Sequence, residues 1–237
     1  MTNVFVKRSE LKYFINHMDY INLSTRLKHV MDPDHHSTPL KGYTVRSLYF
    51  DSINDICLNE KQAGLLLRKK YRIRIYNTNT ASAKFEVKSK FNNQIQKVSS
   101  TISQESANKI IGGHHRELLT YEDPLLQQVY TTFVSQQFQP KVIVEYQRDA
   151  YLFDAFNIRI TIDKNIRSCT SNLSLFSNDL HLILVIESGH HVLEIKFDQV
   201  MPDFILDLLQ LSRFEKMAIS KYVLSRRFFK THQWEDA

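Results

Sequence analysis

The sequence predicts an α+β protein built on a mostly antiparallel β-sheet. About nine segments alternate apolar and polar residues with the period of two that marks β-strands. Four further segments place apolar residues at helical spacing. The strand candidates arrive in consecutive runs and do not alternate one by one with helices, which favours α+β over a parallel α/β sheet. Closure of so large a sheet into a barrel would remove its edges, and the periodicity leaves closure open.

The helical segments begin or end at recognisable signals. Asn16 can cap the first, Ser103 can cap the second, and Asp123-Pro124 opens the third. The last helical stretch is interrupted near Ser220, so we expect two helices there, with Ser220 capping the second. The predicted helical ranges are 16–31, 103–111, 123–133 and 202–229, the last one divided.

The remaining periodic segments are the strand candidates. Each alternates apolar side chains with polar or charged ones, as expected for a sheet with two different faces. The predicted strands are 7–14, 44–51, 71–76, 84–90, 95–102, 142–148, 157–163, 181–187 and 191–198.

Length and composition limit the possible functions. The chain has 237 residues, a formal net charge of +6, 5 glycines and 2 cysteines, which fits a single domain over residues 1–237. Only Gly112 and Gly113 are adjacent, so a glycine-rich phosphate loop is excluded and phosphate would have to be held by side chains. Cys57 and Cys169 form no zinc or disulfide pattern, and the residue pattern leads us to expect neither a signal peptide nor a membrane span. We therefore expect a cytoplasmic protein.

Several strand candidates concentrate positive charge on one face. Arg72 and Arg74 alternate with isoleucines, and Lys84, Glu86 and Lys88 share a face of the next strand. A solvated sheet face would also alternate in this way, but it normally mixes both signs of charge. Because neighbouring like charges repel, this pattern favours a surface that a polyanion neutralises. Isolated glutamates among the cations could hold a divalent metal that bridges phosphates.

The sequence resembles the VTC domain, the catalytic domain of polyphosphate polymerases, within the triphosphate tunnel metalloenzyme (CYTH-like) superfamily. Nine stretches match in family order between residues 8 and 222, and together they span nearly the whole chain. They are Arg8-Ser-Glu-Leu-Lys-Tyr13, Val45-Arg-Ser-Leu-Tyr-Phe-Asp51, Glu60-Lys-Gln-Ala-Gly64, Arg68-Lys-Lys-Tyr-Arg-Ile-Arg-Ile-Tyr76, Phe85-Glu-Val-Lys88, Val144-Glu-Tyr-Gln-Arg148, Arg159-Ile-Thr-Ile-Asp163, Leu193-Glu-Ile-Lys196 and Ile219-Ser-Lys-Tyr222.

The resemblance implies an antiparallel barrel of about eight or nine strands around a basic tunnel, with helices packed outside. It implies transfer of the ATP γ-phosphate to a growing polyphosphate chain, assisted by Mn²⁺ or Mg²⁺. The implied catalytic residues are Arg72, Arg74, Arg148 and Lys221. The implied phosphate-binding residues are Lys12, Arg46, Lys88, Tyr146, Arg159, Lys196 and Ser220. The implied metal ligand is Glu194, with Glu10 and Glu86 as further candidates.

One departure from the wider superfamily bears on the reaction. Triphosphatases of this fold usually begin with a Glu-x-Glu-x-Lys strand, whereas the first of these positions is Arg8 here. Loss of a carboxylate weakens the case for activating water and favours an acceptor that is already anionic. Two alternatives stay open: a hydrolase of inorganic or nucleoside triphosphates, and a polyanion-binding module without activity. The expected partners are ATP and polyphosphate, and no nucleic acid is expected to bind. The sequence is also compatible with a separate membrane partner.

Overall fold

The computed structural model describes residues 9–34, 42–77, 81–92, 94–198 and 200–232. The strands are β1 (Ser9–Asn16), β2 (Asp32–Pro33), β3 (Tyr43–Ser52), β4 (Leu67–Tyr76), β5 (Ser82–Phe91), β6 (Gln94–Ser103), β7 (Phe138–Phe153), β8 (Ile158–Cys169), β9 (Ile183–Leu184) and β10 (His190–Phe197). The α-helices are α1 (His17–Lys28), α2 (Ile56–Gln62), α3 (Gln104–Ile111), α4 (Pro124–Ser135), α5 (Asp203–Leu209) and α6 (Lys221–His232), and short 3₁₀ helices span His115–Thr120, Asp154–Phe156 and Leu211–Arg213.

The strands form one large sheet in the order β1-β10-β8-β7-β3-β4-β5-β6, with β2 paired to β7 and β9 paired to β8. The pairings β1–β10, β10–β8, β2–β7, β3–β4, β4–β5, β5–β6 and β8–β9 are antiparallel. The prediction of an α+β protein with a large antiparallel sheet is confirmed. The expected closure into a barrel is not found among the described pairings, which leave β1 and β6 as edge strands.

The chain divides into two compact units. Among the described residues, the first unit comprises the chain up to Thr44 together with Tyr146–Ile166 and Ile186–Ser220. The second comprises Val45–Glu145, Arg167–Val185 and the chain from Lys221 onward. Strands β3, β7 and β8 therefore contribute residues to both units.

In the first unit, helices α1 and α5 pack on the apolar face of β1, β10 and β8. The Asn16 side chain caps α1 by accepting a hydrogen bond from the Asp19 amide at 2.8 Å, as the sequence predicts. Leu27 of this helix is fully buried with Ile160 and Leu193 of the sheet. The opposite face of the same strands is thereby left for polar side chains.

In the second unit, α3 and α4 cover the apolar face of β3 to β6. Ser103 and Asp123 cap these helices through their side chains, which confirms both predicted starts. Phe133 of α4 stacks on Phe138 with ring centroids 4.9 Å apart and belongs to the same buried cluster as Phe85 of β5. Burial of these rings fixes which face of β4 and β5 turns away from the core.

Three elements differ from the predicted pattern. Helix α2 was not predicted, because its seven residues are too few to show a helical period. Strand β7 has 16 residues and is much longer than the predicted segment 142–148. The predicted strand 181–187 contains only the two-residue strand β9. No helix within the described ranges is long and apolar enough to cross a membrane.

Candidate functional site

A ladder of cations covers the polar face of β4, β5 and β6 in the second unit. The register places Arg72 opposite Glu86, Arg74 opposite Lys84, and Lys88 between a lysine of β4 and a lysine of β6. Residues opposite each other in antiparallel strands point to the same side. Of the described side chains on this face, one is a carboxylate (Glu86) and eight are cations: Arg68, Lys70, Arg72, Arg74, Lys84, Lys88, Lys90 and Lys97.

Glu86 is the anionic centre of this ladder. Its Oε2 lies 2.6 Å from Arg72 Nε and 3.7 Å from Arg74 Nη1, and its Oε1 lies 2.5 Å from Lys97 Nζ. Burial raises the pKa of Glu86, but Arg72, Arg74 and Lys97 outweigh burial and lower the pKa to about 2. The carboxylate therefore stays ionised and orients two of the predicted catalytic arginines. Three contacting cations make this carboxylate poorly suited to a metal ion.

Tyr49 belongs to this polar face, although the sequence suggests only strand packing for it. Its hydroxyl accepts a hydrogen bond from Arg72 Nη1 at 3.0 Å, and its ring stacks on Tyr222 at a centroid distance of 5.2 Å. Burial raises the pKa of Tyr49, but Arg72, Arg74 and Lys221 outweigh burial and lower it. A buried hydroxyl among three cations is suited to contact an anion. In the sequence, the alternation of Ser47, Tyr49 and Asp51 was the pattern that could have placed Tyr49 on this polar face.

Lys221 opens helix α6, and the residue after it anchors that helix. The Tyr222 hydroxyl donates a hydrogen bond to Asp51 Oδ2, which also accepts from the Leu58 amide at 3.0 Å. Asp51 Oδ1 accepts from the amides of Ser52 and Cys57, both at 2.8 Å. This fully buried carboxylate thus joins β3, α2 and α6 and fixes the helix that carries Lys221.

The structure does not bring Arg46 to the cation ladder. Arg46 is paired in register with Ile75, whose side chain belongs to the apolar core, whereas Ser47 is paired with Arg74. The Arg46 guanidinium contacts Glu145 through Nε and Nη2, both at 2.7 Å. Its Nη1 donates to the carbonyl groups of Leu175 and Ser177. These contacts hold the Arg46 guanidinium on the opposite face of β3.

The first unit carries a second group of predicted site residues, centred on Lys12. In the register, Lys12 lies opposite Glu194 and Glu10 lies opposite Lys196. Lys12 Nζ lies 2.7 Å from Glu10 Oε1 and 3.4 Å from Glu194 Oε2, while Lys196 Nζ lies 2.5 Å from Glu194 Oε1. Burial lowers the pKa of Lys12, but Glu194 and Glu10 outweigh burial and raise it, so the ammonium stays charged.

Arg148 and Tyr146 also belong to the first unit. Arg148 Nε and Nη2 donate to the two oxygens of Asp163 at 2.7 and 2.8 Å. The guanidinium carbon of Arg148 lies 5.2 Å from the centroid of the Tyr146 ring, a cation–π contact. Burial lowers the pKa of Arg148, but Asp163 outweighs burial and raises it. The buried Asp163 carboxylate thus holds Arg148, and Arg148 in turn contacts Tyr146.

Arg159 and Ser220 complete this second group. Arg159 Nη2 donates to Asp34 Oδ2 at 2.6 Å and to the Tyr43 hydroxyl at 3.1 Å. Its Nε is buried with no hydrogen-bond partner among the described residues. Ser220 is buried and follows Ile219, whose carbonyl accepts a hydrogen bond from Lys12 Nζ at 3.2 Å. Arg8 lies outside the described residues.

The surroundings of Glu194 fit a divalent metal better than those of Glu86. Glu10 and Glu194 reach the same ammonium, so two carboxylates already meet around one positive charge. Thr161 lies opposite Glu194 in the register, and its buried Oγ1 has no hydrogen-bond partner in the described part of the chain. Within the described ranges, no group of three or more His, Cys, Asp or Glu residues is arranged so that it could hold a metal ion by itself. One or two carboxylates with phosphate oxygens are a donor set that Mg²⁺ and Mn²⁺ accept.

Comparison with protein families and solved structures is consistent with this geometry. The VTC domain profile matches residues 7–230. The fold is similar to a candidate adenylyl cyclase from Hippeastrum, described as having a dominant triphosphatase activity (TM-score 0.57, 14% identity, 92% of this chain and 96% of that chain). It is also similar to a candidate adenylate cyclase from Bacillus halodurans (TM-score 0.53, 13% identity, 90% of this chain and 95% of that chain). No curated protein sequence matches the chain significantly.

Proposed function

Because the chain belongs to the VTC domain family, we propose that it is a polyphosphate polymerase that transfers the γ-phosphate of ATP to a growing inorganic polyphosphate chain. Its fold is that of the triphosphate tunnel (CYTH-like) proteins, which supports a substrate with a chain of phosphates. Polymerase activity is a more specific proposal than binding of a phosphate chain. The observation that supports it is the cation ladder of the second unit.

The length of the ladder supports a polymer more than a triphosphate. From Arg68 to Arg74, the cations of β4 extend over about 20 Å at a strand rise of ~3.4 Å per residue. A triphosphate has only three phosphorus atoms and cannot span that distance, whereas a polyphosphate chain can. An excess of seven positive charges along one face is costly without an anion, because like charges on neighbouring strands repel. A long polyanion removes that cost.

The proposed reaction needs little acid–base chemistry from the protein. A terminal oxygen of the polyphosphate attacks the γ-phosphorus of ATP, the bond from that phosphorus to the β–γ bridging oxygen breaks, and ADP leaves. The attacking oxygen is already anionic, so the side chains position the reactants and neutralise charge. Arg72 and Arg74 are suited to this task because the contacts of Glu86 hold both guanidinium groups in place.

Within the first unit, we propose a metal site of its own residues. Glu194 and Glu10 would hold Mn²⁺ or Mg²⁺, which supplies Lewis-acid neutralisation of phosphate oxygens when it is bound. Lys12 and Lys196, which contact Glu194 now, would bind phosphate oxygens. Arg159 has a buried Nε without a described partner, and this N–H group is a further donor for phosphate.

A second candidate is hydrolysis of inorganic or nucleoside triphosphates. The observation that favours it is the triphosphatase activity described for the Hippeastrum protein of similar fold. Hydrolysis requires that water be oriented or deprotonated, which a carboxylate free of cations does best. In the second unit the carboxylate of the ladder, Glu86, is contacted by three cations, so the described geometry favours transfer to phosphate.

Product analysis of the purified protein tests the proposal. We expect incubation with ATP and Mn²⁺ to give ADP and long-chain polyphosphate in the same experiment. Release of orthophosphate without polymer would support the hydrolase, and tight salt-sensitive polyphosphate binding without turnover would support a binding module. Arg74→Gln should lose most of the activity, while Arg116→Gln, an exposed cation outside the ladder, is the matched control.

A further inference from the structure

Four exposed apolar side chains lie together at one end of the second unit. Leu65, Leu66, Leu67 and Phe91, which we name the leucine tip, are 49%, 65%, 59% and 59% exposed. Leu67 is paired in register with Phe91, and the Leu66 carbonyl accepts a hydrogen bond from the Asn92 amide at 3.0 Å. Two chain reversals, one after α2 and one between β5 and β6, therefore present one apolar surface.

Positive charge predominates beside this surface, with Glu60 of α2 as the carboxylate near Arg68 and Lys69. The two segments that form it, residues 65–70 and 88–97, contain six Lys or Arg residues and no Asp or Glu. Their charge of +6 equals the formal net charge of the entire chain. Arg68 is paired in register with Lys90, directly beside the Leu67–Phe91 pair, and Lys69 lies on the same face of β4 as Leu67.

The size and charge of the leucine tip limit what can bind there. A stable protein–protein interface uses roughly 20 to 30 residues on each side, many more than four apolar side chains with a basic rim. A twofold dimer through this surface would place the same cations opposite each other, which is unfavourable. Shallow insertion of a few apolar side chains next to a basic cluster is instead the pattern of peripheral binding to an anionic bilayer.

We propose that the leucine tip docks this protein on the surface of an anionic lipid bilayer. Leu65, Leu66, Leu67 and Phe91 enter the interface between headgroups and acyl chains. Arg68, Lys69 and Lys90 contact the negative headgroups. Neither part suffices alone, because four apolar side chains bind weakly and an electrostatic contact without insertion is lost at physiological salt. Arg68 and Lys90 also belong to the cation ladder, whereas the four apolar side chains and Lys69 do not, so vesicle binding by variants at those five positions is tested separately from catalysis.

Vesicle co-sedimentation of the full chain tests the docking surface. We expect binding to phosphatidylcholine vesicles that contain phosphatidylglycerol, weaker binding as salt rises, and little binding to phosphatidylcholine alone. The double variant L66S/F91S should bind about tenfold more weakly, because two apolar insertions are lost. Lys69→Gln should bind about fivefold more weakly. Both changes affect exposed or half-buried side chains, and circular dichroism would verify the fold.

Matched controls separate the leucine tip from the rest of the surface. Val134→Ser changes an apolar side chain of α4 that is 53% exposed, and Arg116→Gln changes an exposed cation. Both should bind vesicles as the wild type does. Equal binding of wild type and L66S/F91S, or no binding of folded wild-type protein, would overturn the proposal. A concentration-dependent dimer that L66S/F91S abolishes would assign the surface to self-association and overturn it as well.

Discussion

Arg148 and Asp163 form a doubly hydrogen-bonded ion pair, with Nε–Oδ1 and Nη2–Oδ2 distances of 2.7 and 2.8 Å. Asp163 is fully buried and Arg148 is 9% exposed. The Nε–Nη2 edge of this guanidinium is thus occupied by a carboxylate, and its Cζ lies 5.2 Å from the centroid of the Tyr146 ring. The pair therefore links the stability of the first unit to the predicted role of Arg148.

Arg148→Ala should destabilise the protein, since it leaves the Asp163 carboxylate buried and uncompensated. Loss of one partner of a buried pair costs about 3–5 kcal/mol in the free energy of unfolding. Denaturant unfolding measures this change. Glu105→Ala, which breaks the exposed Glu105–Lys109 pair, is the control and should change stability little. An Arg148→Ala protein as stable as wild type would show that Asp163 finds another partner.

Arg72→Gln should lower polyphosphate synthesis by about 10²-fold, as is typical when one charge-stabilising donor is removed. Arg72→Lys keeps the charge but loses the planar fork, so its activity should lie between those of wild type and Arg72→Gln. The readout is initial rate of ADP formation against ATP concentration. A drop in thermal stability that parallels the drop in rate would indicate that Arg72 serves Glu86 and the fold instead.

Glu86 should make stability depend on pH at the acid end. The pKa of Glu86 is 4.5 unperturbed and about 2 in the folded protein, so its contribution is fully present above pH 4.5. This contribution to the free energy of unfolding is on the order of 3 kcal/mol, and it is lost as pH falls from about 4.5 to about 2. We expect Glu86→Gln to flatten the stability profile in this window. An unchanged slope in Glu86→Gln would mean that other carboxylates determine acid unfolding.

His191 should make the stability of the protein depend on pH in a higher range than Glu86 does. Burial lowers the pKa of His191 to about 4, assisted by His17 and Lys164, and its Nε2 lies 3.2 Å from His17 Nδ1. The unfolded chain takes up this proton near pH 6.5, so stability falls as pH drops from about 6.5 to about 4. The groups that face this ring are His17 and Tyr20 from α1, Lys164 from β8, Asp149 from β7 and the neighbouring His190. Thermal melts of wild type and His191→Phe across this range measure the effect, and parallel curves would contradict it.

Tyr222→Phe should cost about 1–3 kcal/mol, because buried Asp51 loses a hydrogen-bond donor. Ring stacking on Tyr49 is retained, so packing changes little. Since Tyr222 follows Lys221, we also expect a raised KM for ATP. Tyr130→Phe on α4 is the control for loss of a tyrosine hydroxyl. A stability loss with an unchanged KM would limit Tyr222 to a structural role.

The sequence predicts the helices and strands that are long enough to show a clear hydrophobic period. Capping residues Asn16, Ser103 and Asp123 locate three helix starts, and strict alternation locates β4 and β5. The sequence does not predict helix α2, because its start is defined by Asp51. This carboxylate lies several residues upstream and accepts hydrogen bonds from two amides of the helix. Such a contact depends on tertiary structure and leaves no periodic trace.

The predicted site residues also divide into those that strand alternation places and those that only the tertiary structure places. Alternation places Arg72 and Arg74 on one face because strand period alone determines it. Arg46 lies one residue from Ser47 on β3 and so faces the opposite side, where Glu145 binds it. Only the register between β3 and β4 reveals this, and register depends on packing of the apolar face. The ion pairs of Arg148 and Arg159 likewise join residues 15 and 125 positions apart.

The Asp51–Tyr222 contact joins positions 171 residues apart. During synthesis, β3 leaves the ribosome long before α6 exists, so Asp51 spends that interval without the tyrosine hydroxyl it needs in the finished fold. We therefore expect the second unit to complete its fold only after translation has passed residue 222. Nascent chains stalled short of that codon should expose α2 to proteases, whereas the released chain should protect it.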